Sequence, residues 1–258
     1  MKRFTQETLW AISTLLIITL MTACASSPEA TPEPSAVFRP ILPSAPPTSA
    51  VPSPAEMELA AEPVVTTVSV QTFKWFGMNP NIGTLIEGAE STLTRMPHGV
   101  SMTFKTVGLI PGDAVTMWWI IFNKPENCSN GECGLDDAFT SDESGQILFN
   151  ESGAPSPNID GREAVGFSSL KADGKVVEND GSADFRGHLP IGDVTECFFG
   201  PGLLDSMKAE FHLIARTHGP AIPGSTHVQL NSDWGGCAEM WKDPCADLQV
   251  AVHSPPNP

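Results

Sequence analysis

The chain has 258 residues, with 14 Lys and Arg against 30 Asp and Glu, and a formal charge of −16 with histidines neutral. So acidic a chain repels phosphates. Nucleic acid and anionic lipid headgroups are therefore poor partners, because both need clustered basic side chains to displace counterions.

Lys2 and Arg3 precede an apolar run from Leu9 to Leu20, and small residues then lead to Cys24. This is the three-part layout of a secretory signal. The run has 12 residues, too few for a hydrocarbon core that needs about 20. Met21-Thr22-Ala23-Cys24 resembles the lipobox of bacterial lipoproteins. The resemblance implies cleavage before Cys24 and acylation of its sulfur, with residues 1–23 lost as signal peptide. Ala25 stands where an aspartate would favour inner-membrane retention in that family. The expected location is outside the cytoplasm, lipid-anchored to the cell membrane or outer membrane and facing the periplasm or cell exterior. The bilayer, reached through acylated Cys24, is then one partner. Loss of Lys2, Arg3 and Glu7 leaves 12 basic and 29 acidic residues.

Residues 24–63 carry ten prolines among Ala, Ser and Glu, with Arg39 as the one basic residue. Such a segment cannot bury enough apolar surface to offset chain entropy, which predicts a disordered stalk. Fully extended, it reaches ~120 Å at ~3.1 Å per residue. From residue 64 to 258 the composition is globular, and the expectation is one β domain with a short disordered C-terminal tail.

Strands are expected at 64–76, 91–96, 100–109, 114–123, 147–150, 164–170, 175–178, 183–188, 209–217, 227–231 and 248–253. Gly, Pro, Asn and Asp clusters separate them, the pattern of an antiparallel sandwich or barrel. Val100, Met102 and Phe104 alternate with Ser101, Thr103 and Lys105, as on a half-buried strand. Residues 115–122 are apolar almost throughout, which predicts a central strand covered on both faces. Asp173-Gly174 reads as a two-residue hairpin turn.

With Cys24 assigned to lipid, five cysteines remain. An oxidising compartment favours pairing of near neighbours, Cys128 with Cys133 and Cys237 with Cys245. Cys197 is then either a small buried apolar residue or half of another disulfide. No C-x-x-C-like spacing suggests a zinc site.

Catalytic motifs fail when tested. Ser168-Ser169-Leu170-Lys171 matches S-x-x-K, but no S-D-N or K-T-G accompanies it. The acidic loop 178–184 lacks the bidentate glutamate of an EF-hand. No enzyme activity and no cofactor are expected.

His212 and His218 are six residues apart, ~20 Å on a straight strand. His218 and His227 are symmetric about Ile222, with Gly219-Pro220 and Pro223-Gly224 between them. If that turn is a hairpin, their Cβ atoms approach to ~5 Å, close enough for one copper or zinc ion. A third ligand would come from His188, His253 or a carboxylate. The run His218-Gly219-Pro220-Ala221, then Gly224, Val228 and Leu230, resembles part of the CHRD domain, as does Gly108-Leu109-Ile110-Pro111-Gly112-Asp113. That resemblance covers about thirty residues and implies an extracellular β-sandwich. It lacks the second histidine two positions before the turn, and the cysteine-bridged C-terminal part departs from it.

Trp234 and Trp241 flank Cys237. Exposed, they would stack on a sugar face; buried, they would cap the core. Together these readings predict a lipid-anchored envelope protein presenting a noncatalytic binding or structural β domain to a protein or glycan. The rivals are a copper or zinc protein using His218 and His227, and a carbohydrate-binding module using Trp234 and Trp241.

Overall fold

The computed structural model describes residues 64–68, 70–72, 85–131, 133–143, 147–149, 156–232, 235–237 and 245–256. The expected signal, Cys24, the linker 24–63, Trp234 and Trp241 lie outside the described residues. The fold is mostly β, in two antiparallel sheets. One has the order β1-β3-β4-β7, formed by Val64–Val68, Glu90–Met96, Gly99–Thr106 and Ala183–Pro190. The other has the order β2-β10-β9-β5-β6-β8, formed by Gln71–Thr72, Cys245–His253, Glu210–Pro220, Asp113–Phe122, Phe167–Val176 and Cys197–Phe199.

The alternating residues of β4 do what their period requires. Val100, Met102 and Phe104 are buried, and they meet Val115, Met117, Trp119 and Ile121 of β5 in the core between the sheets. Each such side chain contributes about 1.5–3 kcal/mol relative to exposure. Because successive residues of a strand face opposite ways, Trp118, Ile120 and Phe122 point out of the sandwich. They are nonetheless buried, beside Phe139, Val165 and the Cys128–Cys133 bridge. The chain between β5 and β6 forms this outer cover, with helices α1 (Leu135–Ala138) and α2 (Ile159–Val165). β5, apolar at nearly every position from 115 to 122, is thus a central strand covered on both faces, as its composition predicts.

The cover is held by polar side chains at fixed places. Asp137 accepts the backbone N–H and hydroxyl of Ser129, both at 2.8 Å, and the N–H of Gly134 at 2.8 Å. It thereby closes the loop that the disulfide bridges. Asn158 caps α2 by accepting from the Gly161 N–H at 3.0 Å, and Gly166 ends it in the left-handed conformation at φ 61°.

Several local expectations give way to longer-range contacts. The strand expected over 164–170 begins only at Phe167, because α2 fills the preceding turn. Residue 147 makes one isolated bridge rather than a strand. Asp173-Gly174 is no turn: β6 runs through it, with a bulge opposite Met117 and Trp118. Glycine is required there because a Cβ on Gly174 would stand 2.6 Å from the carbonyl oxygen of Leu230. The turn that carries the chain to the other sheet comes later, where Gly181 donates to Glu178 at 3.0 Å and Asp180 accepts from the Ser182 N–H at 2.9 Å. Residues 227–231 were expected as a strand, yet Thr226–Leu230 is a helix, α3.

Candidate functional site

The outer face of the six-stranded sheet is only partly covered. Where the cover ends, an aromatic pocket opens over β5, β9 and β10. The space between its walls is about 460 Å³ including the open mouth. Trp118, Phe139, Phe167, Phe198 and Phe199 form the walls, and Ile120, Ile214, Ser169, Arg216 and Asp247 line the rest. The rings brace one another edge to face, Trp118 on Phe198 with centroids 6.2 Å apart and Phe198 on Phe199 at 4.4 Å.

Arg162 of α2 locks the cover against this wall. Its guanidinium stands 4.8 Å from the Phe139 centroid, 5.2 Å from Phe167 and 4.6 Å from Phe199. Its Nε donates to the Ala138 carbonyl at 2.6 Å. Burial lowers its pKa to about 10, still high enough to keep the charge at neutral pH.

Arg216 and Asp247 are cross-strand partners on β9 and β10. Their Nη1 and Oδ1 lie 2.9 Å apart with side chains 1 % and 7 % exposed. Burial pushes the Asp247 carboxyl up, and the Arg216 charge and hydrogen bond hold it back only in part. Such a pair must be well hydrogen-bonded to offset its desolvation. A neutral ion pair at an aromatic pocket offers a donor and an acceptor without net charge.

A hydrogen-bonded chain connects the pocket wall to His218. Trp118 Nε1–H donates to Thr116 Oγ1 at 2.8 Å, and Thr116 Oγ1 lies 2.9 Å from His218 Nε2. His218 Nδ1 lies 3.0 Å from the Gly235 carbonyl, which can only accept. Burial, with help from the Arg216 charge, lowers the His218 pKa to about 4, so the ring is neutral. Its proton is therefore on Nδ1, and Nε2 accepts from the Thr116 hydroxyl. The sulfurs of Cys237 and Cys245 lie 3.8 and 3.7 Å from the same Nδ1.

No family model and no curated protein matches the chain.

Each cysteine pair expected from spacing is bonded, Cys128 to Cys133 and Cys237 to Cys245. Cys197 is half-buried on β8, packed against the core between the sheets, with its sulfur 3.3 Å from the Gly200 carbonyl. His218 and His227 are not brought together by a hairpin. β9 pairs with β5 and β10, while His227 is exposed on α3. The cause is Gln229. From α3 its side chain returns to the turn, donating to the His218 and Pro220 carbonyls at 3.2 and 3.0 Å and accepting from the Ile222 N–H at 2.8 Å.

Nor do the suggested third ligands approach His218. His188 bonds Ser101 at 2.9 Å on the other sheet. His253 pairs with Phe211, seven positions back along β9. Ser168 and Lys171 point to opposite faces of β6. Ser168 donates to the Gly202 carbonyl at 3.1 Å, and Lys171 faces Glu196 at 3.9 Å.

Sequence reasoning missed Arg162, Phe198, Phe199 and the Arg216–Asp247 pair. The burial of Arg216 depends on contacts from other segments, which no local pattern announces.

Proposed function

We propose that this is a lipid-anchored envelope protein whose β domain is a noncatalytic binding module, with the aromatic pocket over Arg216 and Asp247 as its ligand site. The observation that carries the binding part is the pocket itself: edge-to-face aromatic rings beside a buried, net-neutral ion pair. Binding pockets combine apolar walls with a few fixed polar groups in this way. The preferred ligand is neutral, with one flat apolar face for the rings and a hydroxyl or amide edge for Arg216, Asp247 and Ser169. A sugar ring of an envelope glycan has that shape. This transfers the expected glycan contact from Trp234 and Trp241 to a different set of aromatics.

The anchoring part rests on the lipobox-like segment ending at Cys24. Mass spectrometry of protein from its native cells tests it: a mature chain beginning at an acylated Cys24 supports the anchor, and an unprocessed or fatty-acid-free start removes it. Thermal-shift screening against neutral cell-wall glycans tests the binding part. A ligand that raises Tm for the parent and not for Phe198→Ala supports the pocket; a rise of equal size in both places the ligand elsewhere.

A further inference from the structure

We propose that Cys237 and Cys245, as thiols, form with His218 Nδ1 a three-coordinate site for one copper(I) ion, and that closing their disulfide abolishes it. The three ligand atoms lie within 4.8 Å of one another. A trigonal ion with bonds of ~2.3 Å to sulfur and ~2.0 Å to nitrogen puts each sulfur ~3.7 Å from the nitrogen and the two sulfurs ~4.0 Å from each other. The two sulfurs stand 3.7 and 3.8 Å from Nδ1. The Cα atoms are 5.8 Å apart, a spacing that serves a disulfide and also allows two thiolates on one ion once the sulfurs part. Thiolates suit copper(I) and zinc, and imidazole suits both; three protein donors fit trigonal copper(I) rather than the four-coordinate shell of a structural zinc.

The surroundings also fit. His218 and Cys245 are 1 % and 0 % exposed, whereas Cys237 is half-buried and leaves access from solvent. Thr116 supplies the outer contact that a ligating histidine needs. Its Oγ1 accepts from the Trp118 indole N–H and has a second lone pair that can accept from Nε2–H when the hydroxyl turns away. The ring can therefore move its proton from Nδ1 to Nε2, and the Nδ1 lone pair becomes available to the metal in place of the bond to Gly235.

The balance needs no reductant, because a newly made chain carries thiols. Copper(I) binding forms two Cu–S bonds and one Cu–N bond, and releases the two thiol protons to solvent. Disulfide formation instead removes two electrons and two protons from the same pair, passing them to a disulfide of an oxidant protein. The two fates exclude each other.

The test uses the full chain, reduced by a phosphine under anaerobic conditions and titrated with copper(I) against the chromophoric chelator bicinchoninate. The expected result is one more tightly bound copper(I) in the parent than in Cys237→Ser/Cys245→Ser, and no such extra ion in the oxidised parent. His218→Gln should weaken that ion at least tenfold. Cys237→Ser alone, altering a half-buried position, should lose it with the fold intact by circular dichroism. Equal copper binding by the parent and Cys237→Ser overturns the proposal. So does an extra ion that His218→Gln leaves at full affinity.

Discussion

The hydroxyl of Thr116 lies 2.9 Å from His218 Nε2, and the same oxygen receives the Trp118 indole N–H at 2.8 Å. One buried threonine thus serves the pocket wall and the histidine beside the disulfide. Thr116→Val keeps the shape and removes both bonds, leaving a buried indole N–H and a buried ring nitrogen unsatisfied. A loss of about 2–6 kcal/mol is expected, since each of the two stranded groups costs about 1–3 kcal/mol. Urea unfolding should show a lower midpoint with an unchanged slope. A neutral result would show that neither bond matters to stability.

Arg95 ties the two sheets together. From β3 it donates to the carbonyls of Ser206 and of Ala209, the latter at 2.8 Å, and to His253 and Ser254, both at 3.1 Å. Its guanidinium also stands 5.0 Å from the Phe211 centroid. Burial lowers its pKa to about 10, so it stays charged. Arg95→Met fills much of the volume and strands four carbonyls. It should cost at least about 3 kcal/mol, since each stranded buried carbonyl costs about 1–3 kcal/mol, read as the fall in unfolding free energy. A loss under about 1 kcal/mol would remove Arg95 as the inter-sheet tie.

His253 makes stability pH-dependent. It bonds Ser91 at 2.8 Å, and burial, then the charges of Arg95 and His212, lower its pKa from 6.5 to about 4. Between those values the unfolded chain binds the proton and the folded chain does not. The contribution is therefore full above pH 6.5 and is lost as pH falls toward 4. It amounts to on the order of 3 kcal/mol. Unfolding free energies measured across this window should fall with acidity in the parent, and less steeply in His253→Asn. Parallel curves for the two would contradict the assignment.

Gly174 separates two explanations of one residue. As half of a type I′ turn it would need positive φ, but its reason here is the Leu230 carbonyl of α3, 2.6 Å from the place of a Cβ. Gly174→Ala should push α3 off β6 at a cost of about 1–3 kcal/mol. Faster amide exchange should be concentrated at residues 226–232. Slowed or unchanged exchange there would argue against the contact.

The sequence made legible what depends on local period. β4 alternates, β5 is apolar at nearly every position, and the two short cysteine loops close as their spacing implies. It did not reveal what depends on distant partners. Asp173-Gly174 satisfies a turn rule, yet β5 and α3 hold it straight. Val228 and Leu230 alternate as on a strand, yet Gln229 reaches three backbone groups of the preceding turn only from a helix. The pocket was least legible of all, because it joins β5, β9 and β10 to residues 139, 167, 198 and 199. Their meeting is set by the sheet order, not by any one segment.

The most direct test of the binding account is an NMR titration of the isotope-labelled chain with neutral cell-wall glycan fragments, following the Trp118 indole N–H and the amides of Ser169, Phe199, Ile214 and Asp247. The account predicts saturable shifts concentrated at these groups and absent in Phe198→Ala. Saturable shifts confined to residues away from the pocket, or no shift with any fragment, would contradict it.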